Sequence, residues 1–161
     1  MRKPIFIGID PAFRLNGFGI CIIDHTKEIS YKTFRSVADY LFFILRLDAD
    51  NVVVSCIENS NLQPEIFKYK TEKPKTKAEQ IKQAQNVGKN QATSQIVYDF
   101  TKRLYPNTTY QVSPKGKGAK PTPLQARQLA KGFTQLVIPS NQDEADALKL
   151  AIIAMNKFNR V

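Results

Sequence analysis

Two apolar segments of this chain each end on an acidic residue. Residues 4–10 (PIFIGID) end at Asp10, and residues 52–58 (VVVSCIE) end at Glu58. Short apolar runs of this kind predict buried strands, and a carboxylate at the end of one needs a compensating partner. If the two strands are parallel neighbours, both acids lie at the carboxyl-end edge of one sheet, where α/β folds gather their active sites. For either acid alone, a simple exit of the strand into solvent is the competing interpretation.

A second pair of acids begins the last predicted helix, which spans residues 143–158. Asp143 and Asp146 are three residues apart and therefore share one helix face. The sequence that follows, ALKLAIIAMNKF, is apolar almost all the way round, which indicates packing against the sheet. Asp146 is costly in that setting unless it is neutralised. For Asp143, a capping box with Ser140 is an alternative role.

Four carboxylates brought together repel one another, and hard divalent cations relieve that repulsion. Ligands that are all oxygen atoms favour Mg²⁺, or Mn²⁺ in its place, over zinc. Two such ions about 3.5–4 Å apart are the usual apparatus for phosphodiester cleavage. The pattern therefore predicts a metal-dependent catalytic centre whose ligands are Asp10, Glu58, Asp143 and Asp146.

The charge balance favours a polyanionic partner, and nucleic acid is the most common one. The chain has 24 Lys and Arg residues against 14 Asp and Glu residues, a net charge of +10 in 161 residues. The letters DEAD at 143–146 spell a helicase box, but the sequence has no G-x-x-x-x-G-K-[ST] loop, which argues against an ATPase.

The remaining composition is typical of one globular domain over residues 1–161. No apolar run approaches the roughly 20 residues that span a bilayer. The basic and apolar N-terminus is interrupted by Asp10 and lacks a cleavage site, so we interpret it as a first strand rather than a signal peptide. Cys21 and Cys56 fit neither zinc nor disulfide spacing and are expected to be buried free thiols. We expect a cytosolic protein.

The order of predicted elements indicates an α/β fold with a sheet of mixed direction. Residues 4–10, 17–24 and 28–34 are predicted to form an antiparallel meander. A helix capped by Ser36 follows at 37–48, then the strand 52–58 and a loop at 59–75. The later predicted elements are a helix at 76–104 that starts with a Thr76–Glu79 capping box, a strand at 109–112, a basic Gly/Pro loop at 113–123, and helices at 123–131 and 143–158.

The long helix 76–104 has two possible roles. Its apolar residues recur near helical spacing at Ile81, Ala84, Val87, Ala92, Ile96, Phe100 and Leu104. Such a face suits a dimer interface, and two symmetric cleavage sites would require a two-fold axis. A buried core helix explains the same pattern.

Taken together, three segments resemble the RuvC-type Holliday junction resolvases over essentially all 161 residues. These are DPAFRLNGFGI at 10–20, the strand-ending Glu58, and DEADAL at 143–148. In that family the first motif runs D-P-G and then T-G-[YF]-G, so Ala12 and Asn16 are mild departures. The resemblance implies an RNase H-like fold with a five-stranded mixed sheet flanked by helices. It also implies Mg²⁺-dependent cleavage of four-way DNA junctions by a homodimer, with the four acids as metal ligands.

The resemblance also suggests which residues contact DNA. The loop KGKGAK at 115–120 resembles a basic segment that contacts phosphate, which makes Lys115, Lys117 and Lys120 candidates, and Lys89 is a further one. Phe67 or Tyr69 could supply the aromatic side chain that wedges into the junction centre. The surrounding segment 59–77 departs from the family pattern and is rich in lysine, so we expect a loop that orders on DNA. Solvated surface charges and plain packing are the competing interpretations.

Two other functions remain open from the sequence. The first is an RNase H-like nuclease acting on RNA, flaps or rRNA precursors. The second is a nucleic-acid-binding protein on the same fold without chemistry, although four acids at the predicted site count against a pure binder. Short, divergent members of the family are typical of phages and mobile elements, which is our interpretation of the source.

Overall fold

Five strands form one mixed sheet in the computed structural model, which describes residues 3–11, 18–47, 51–62, 76–118, 121–133 and 139–160. The strands are β1 (Lys3–Ile9), β2 (Phe18–Ile23), β3 (Ile29–Phe34), β4 (Asn51–Glu58) and β5 (Thr109–Val112). Their order across the sheet is β3-β2-β1-β4-β5. Strands β1, β2 and β3 pair antiparallel, while β4 runs parallel to both β1 and β5. The predicted meander and the parallel pairing of the two acid-ending strands are both confirmed.

Five helices and one short turn complete the described elements. They are α1 (Val37–Arg46), α2 (Lys77–Leu104), α3 (Pro114–Lys117), α4 (Pro123–Leu129), α5 (Gln142–Phe158) and the 3₁₀ turn Ser60–Leu62. The side chain of Ser36 accepts a hydrogen bond from the Asp39 backbone N–H and caps α1, as predicted. Thr76 and Glu79 form the predicted capping box at the start of α2.

The prediction of a continuous loop over residues 113–123 is wrong for its first part. Residues 114–117 form the single turn of α3, because the Ser113 hydroxyl accepts a hydrogen bond from the Gly116 N–H at 2.8 Å. Proline at the first helical position suits such a start, since its missing N–H would have had no partner in the helix. The short helix begins directly after β5 and so remains close to the sheet edge.

The sheet is covered by helices on both faces. On one face α5 packs over β1, β2 and β4, with Cys21, Cys56 and Leu148 among the buried residues. On the other face α1 and α2 cover a cluster that includes Ile57 and Val97. This confirms the predicted α/β fold, a five-stranded mixed sheet flanked by helices. A single domain over residues 1–161 stays a prediction. None of the helices in the described ranges is long and apolar enough to cross a membrane.

Helix α2 buries a different face from the one that its apolar spacing predicts. Its buried residues are Thr93, Ser94, Val97 and Thr101, whereas the side chains of Ile81 and Ile96 are each 51% exposed. Small polar residues fill this contact because their hydroxyls find partners there: Thr101 Oγ1 lies 2.6 Å from Tyr40 Oη and donates to the Val97 carbonyl. The core-helix interpretation thus holds for the C-terminal half of α2, and the dimer role stays a prediction.

Candidate active site

Asp10 and Glu58 lie side by side at the carboxyl-end edge of the sheet. The parallel pairing of β1 with β4 reaches the partners Ile9 and Ile57, and the two acids are the next residues on each strand. Asp10 is only 7% exposed, and Glu58 is half-buried. Neighbouring strands are about 4.8 Å apart, so this register sets the two acids next to each other, as the sequence predicted.

Both acids belong to the sheet face that α5 covers. Side chains alternate between the two faces of a strand. Gly8 on β1 faces the backbone of α5, and Cys56 on β4 belongs to the core beneath that helix. Asp10 and Glu58 each lie two positions further along, on the same face. The strand ends therefore present both carboxylates toward the helix that carries the other two acids.

The absence of a side chain at Gly8 allows α5 to approach this face closely, and Gly19 lies beneath the start of the same helix. A Cβ atom on Gly8 would overlap the Ala147 carbonyl oxygen. A Cβ atom on Gly19 would lie 3.9 Å from the Cβ atom of Asp143. Because Ile20 pairs with Ile9, continuing the register places Gly19 opposite Asp10. Asp143 thus reaches the same sheet edge as the strand acids.

The hydrogen bonds at the start of α5 show which residues cap this helix. Asn141 Oδ1 accepts a hydrogen bond from the Glu144 N–H at 2.9 Å. Glu144 Oε2 in turn accepts from the N–H and the hydroxyl of Ser140, at 2.5 and 2.8 Å. The alternative interpretation of Asp143 as the partner in a capping box with Ser140 is therefore wrong. The N-cap of α5 is Asn141, the partner of Ser140 is Glu144, and Asp143 lies beside the sheet instead.

Burial concentrates negative charge at this site. Asp146 is 0% exposed, and its two carboxylate oxygens, together with Glu58 Oε2 and Asp143 Oδ1, are inaccessible to solvent. Carboxylates in such a setting are stabilised by hydrogen bonds or by cations. The donor set, oxygen atoms only, fits Mg²⁺ or Mn²⁺.

The four acids fit a divalent cation in the chemistry of their oxygen atoms and in their position in the fold, but they do not form a complete coordination shell. Within the described ranges, no group of three or more His, Cys, Asp or Glu side chains has the arrangement of a metal site. The backbone brings Asp10, Glu58 and Asp143 to one edge of the sheet, and α5 carries the buried Asp146 one turn after Asp143.

The basic residues near this edge come from α3 and α5. Glu58 pairs with Val112 at the end of β5, and α3 starts two residues later with exposed Lys115 at its second position. The ammonium group of Lys149 on α5 lies 3.3 Å from the position that a Cβ atom on Gly118 would occupy, so the residue that ends α3 lies beside α5. Lys149 was not among the basic residues that the sequence suggested, and it lies next to the end of the helix that carries Lys115.

The other predicted DNA contacts are placed less closely or lie outside the described residues. Lys89 is exposed on the N-terminal half of α2. The backbone of Lys117 belongs to α3, but its side chain is outside the described part of the structure, as are Lys120, Phe67 and Tyr69. Their roles on DNA stay predictions.

An amide cluster behind Glu58 is the main feature that sequence reasoning missed. Asn59 follows Glu58 directly and is buried among other amide side chains from β5 and α2. The available signal was the density of amides: Asn59 and Asn61 flank one serine, and Gln91 and Gln95 are one helical turn apart. Nothing in the sequence shows that these distant amides meet.

Comparison with known proteins adds a structural neighbour. T. thermophilus RuvC in complex with a Holliday junction substrate is similar to this chain with a TM-score of 0.48 and 18% sequence identity, over 98% of this chain and 95% of that chain. No protein-family model matches the sequence, and no curated protein matches it. The function of this chain is therefore argued from its own residues.

Proposed function

We propose that this protein is a metal-dependent nuclease that makes paired symmetric nicks in four-way DNA junctions. The observation that supports it most is the placement of Asp10 and Glu58 at the carboxyl ends of the parallel strands β1 and β4, on the sheet face covered by α5. Helix α5 carries Asp143 and Asp146, and the chain has a net charge of +10. A pure nucleic-acid binder would gain from basic residues at that position, because acids repel phosphate.

Each of the four acids has a ligand role in this proposal. Asp10, Glu58, Asp143 and Asp146 would hold Mg²⁺, for which Mn²⁺ can substitute. Ions bound there supply Lewis-acid polarisation of the phosphate and activation of the attacking water. The chain contributes the backbone placement of the carboxylates, since two come from paired strands and two from one helix packed on them.

The substrate side of the proposal rests on the basic residues around the acids. Lys115 and Lys149 would contact the phosphate backbone beside the site, with Lys117 and Lys120 continuing that surface. Lys89 would contact a more distant part of the DNA, and Phe67 or Tyr69 would stack at the junction centre. Paired nicks on opposite strands need two sites related by a two-fold axis, so we propose a homodimer.

The test is a cleavage assay on a synthetic four-way junction and its matched linear duplex, with Mg²⁺ and with chelator. Wild type is compared with Asp146→Asn, which removes a metal ligand and no phosphate contact. We expect paired nicks in the junction, absent in chelator and in the variant, while junction binding in chelator is retained. If the protein cleaves an RNA hybrid or a flap and not the junction, that nucleic acid is its substrate. Binding without cleavage of any of them would leave a nucleic-acid-binding protein.

A further inference from the structure

The turn that follows Glu58 is held in place through the backbone of Asn59. The Asn59 N–H donates to the Val112 carbonyl at 2.9 Å, which extends the pairing of β4 with β5 by one residue. The Asn59 carbonyl accepts from the Leu62 N–H at 3.1 Å and closes the 3₁₀ turn. The backbone N–H and the backbone carbonyl of Asn59 are therefore both held by hydrogen bonds, directly after Glu58.

The side chain of Asn59 makes hydrogen bonds through both of its polar atoms. Its Oδ1 accepts from the backbone N–H of Asn61 at 3.0 Å and from the Asn61 amide at 3.1 Å. Its Nδ2 donates to Gln111 Oε1 at 3.0 Å and makes a longer contact, 3.5 Å, with Gln95 Oε1. Asn59 is only 2% exposed, so these bonds operate away from solvent, where a satisfied amide network is rigid and a broken one is costly.

Two other contacts fasten the same turn to α2. The Asn61 amide donates to the Gln91 carbonyl at 2.8 Å. The hydroxyls of Ser60 and Ser94 lie 3.3 Å apart. The amide cluster, defined as Asn59, Asn61, Gln95 and Gln111, thus connects the end of β4 with both β5 and α2.

We propose that Asn59 is a positioning residue for Glu58, which sets the direction of the Glu58 carboxylate at the acid edge. An apolar residue at this site would fill the same space without fixing the orientation of the turn. The inference rests on the proposed function, in which Glu58 is a ligand of a divalent cation. Groups that orient a metal ligand typically change metal affinity by about 10–100-fold when they are removed.

The experiment measures Mn²⁺ binding to the purified full chain by calorimetric titration, beside the shift in melting temperature at saturating Mn²⁺. We expect Asn59→Ala to raise the Mn²⁺ dissociation constant about tenfold or more. Binding of junction DNA in chelator should stay within about twofold of wild type, since Asn59 is buried. Gln111→Ala, which removes a single acceptor of the cluster, should give a smaller change in the same direction and serves if Asn59→Ala does not fold.

The matched control is Tyr40→Phe, which removes a buried hydrogen bond to Thr101 on the opposite face of the sheet. It should lower the melting temperature without altering Mn²⁺ affinity. Unchanged Mn²⁺ affinity in folded Asn59→Ala and Gln111→Ala would overturn the positioning role, as would an equal loss in Tyr40→Phe. If wild type itself binds no Mn²⁺, the proposed function fails, and the role of Asn59 fails with it. Failure of the proposed function can be told apart from failure of the positioning role, because it is seen in wild type before any variant is measured.

Discussion

The backbone of Ala147 lies against Gly8 so closely that no Cβ atom fits between them. A Cβ atom on Gly8 would overlap the Ala147 carbonyl oxygen and would lie 2.9 Å from the carbonyl carbon of Leu150. The obstructing atoms are backbone rather than flexible side-chain ends, so the helix itself would have to move. This contact sets the distance of α5 from β1, and with it the depth at which Asp146 is buried.

We expect Gly8→Ala to destabilise the protein by about 3 kcal/mol or more, at the upper end of what overpacking costs. Chemical denaturation measures the change. Gly88→Ala is the matched control, because a Cβ atom at Gly88 meets nothing within 4 Å. Alanine in that exposed part of α2 should stabilise by about 0.5–1 kcal/mol. Equal stability of Gly8→Ala and wild type would show that the backbone of α5 does not lie directly against Gly8.

Neighbouring acids on the first turn of α5 should differ in their effect on cleavage. Asp143→Asn should lower the cleavage rate by more than about 100-fold, since loss of a ligand should exceed the effect of losing an outer partner. Glu144→Ala should reduce stability by about 1 kcal/mol, because it removes the acceptor for Ser140. Its cleavage rate should remain near wild type at a temperature where it is folded. A larger loss of cleavage rate in Glu144→Ala than in Asp143→Asn would contradict the assignment of Asp143 as a metal ligand and of Glu144 as the partner of Ser140.

Neutralising Lys115 should weaken junction binding and flatten its salt dependence. Each lost phosphate contact reduces the slope of log K against log salt by about 0.9, so Lys115→Gln should show a change of that size. Lys27→Gln removes the same charge from the turn between β2 and β3 and should leave the slope unaltered. Binding measured over a salt series decides between a phosphate contact and a solvated surface charge.

The two cysteines are buried free thiols, as the sequence predicted. Burial raises the pKa of the Cys56 thiol to about 12. Burial, followed by the nearby Glu144 charge, raises the pKa of Cys21 as well. Native protein should therefore resist thiol-labelling reagents at pH 8, whereas the unfolded chain should react at both positions.

A raised thiol pKa also makes stability depend on pH. The folded state keeps neutral thiols, while in the unfolded state they ionise near the ordinary value of 9.0. Stability is thus fully present below pH 9 and falls as the pH rises toward 12, by at most about 1.4 kcal/mol per pH unit for each thiol. Denaturation between pH 8 and 9 tests this below the ordinary tyrosine pKa of 10.0. The Cys21→Ala, Cys56→Ala double variant should lose most of the slope, and an unchanged slope would assign it to other groups.

The sequence by itself determined the five strands, the longer helices and the strand-ending acids, but not the single turn of α3. Alternation and apolar runs are local signals, and so are helix caps, so Ser36 and the Thr76–Glu79 box could be placed without a structure. Asp10 and Glu58 could be assigned to one sheet edge because parallel neighbours share their carboxyl ends.

Tertiary structure decided which surfaces meet. The spacing of apolar residues along α2 pointed to the side of Ile81 and Ile96, but packing buried Thr93 and Thr101. The Thr101 hydroxyl lies within hydrogen-bond distance of the Tyr40 hydroxyl across the core. Gly8 resembled any strand glycine until a helix backbone was placed on it. Asn59 meets Gln111 across 52 residues of chain. Contacts of this kind depend on how elements that are distant in the sequence pack together, so local propensity does not predict them.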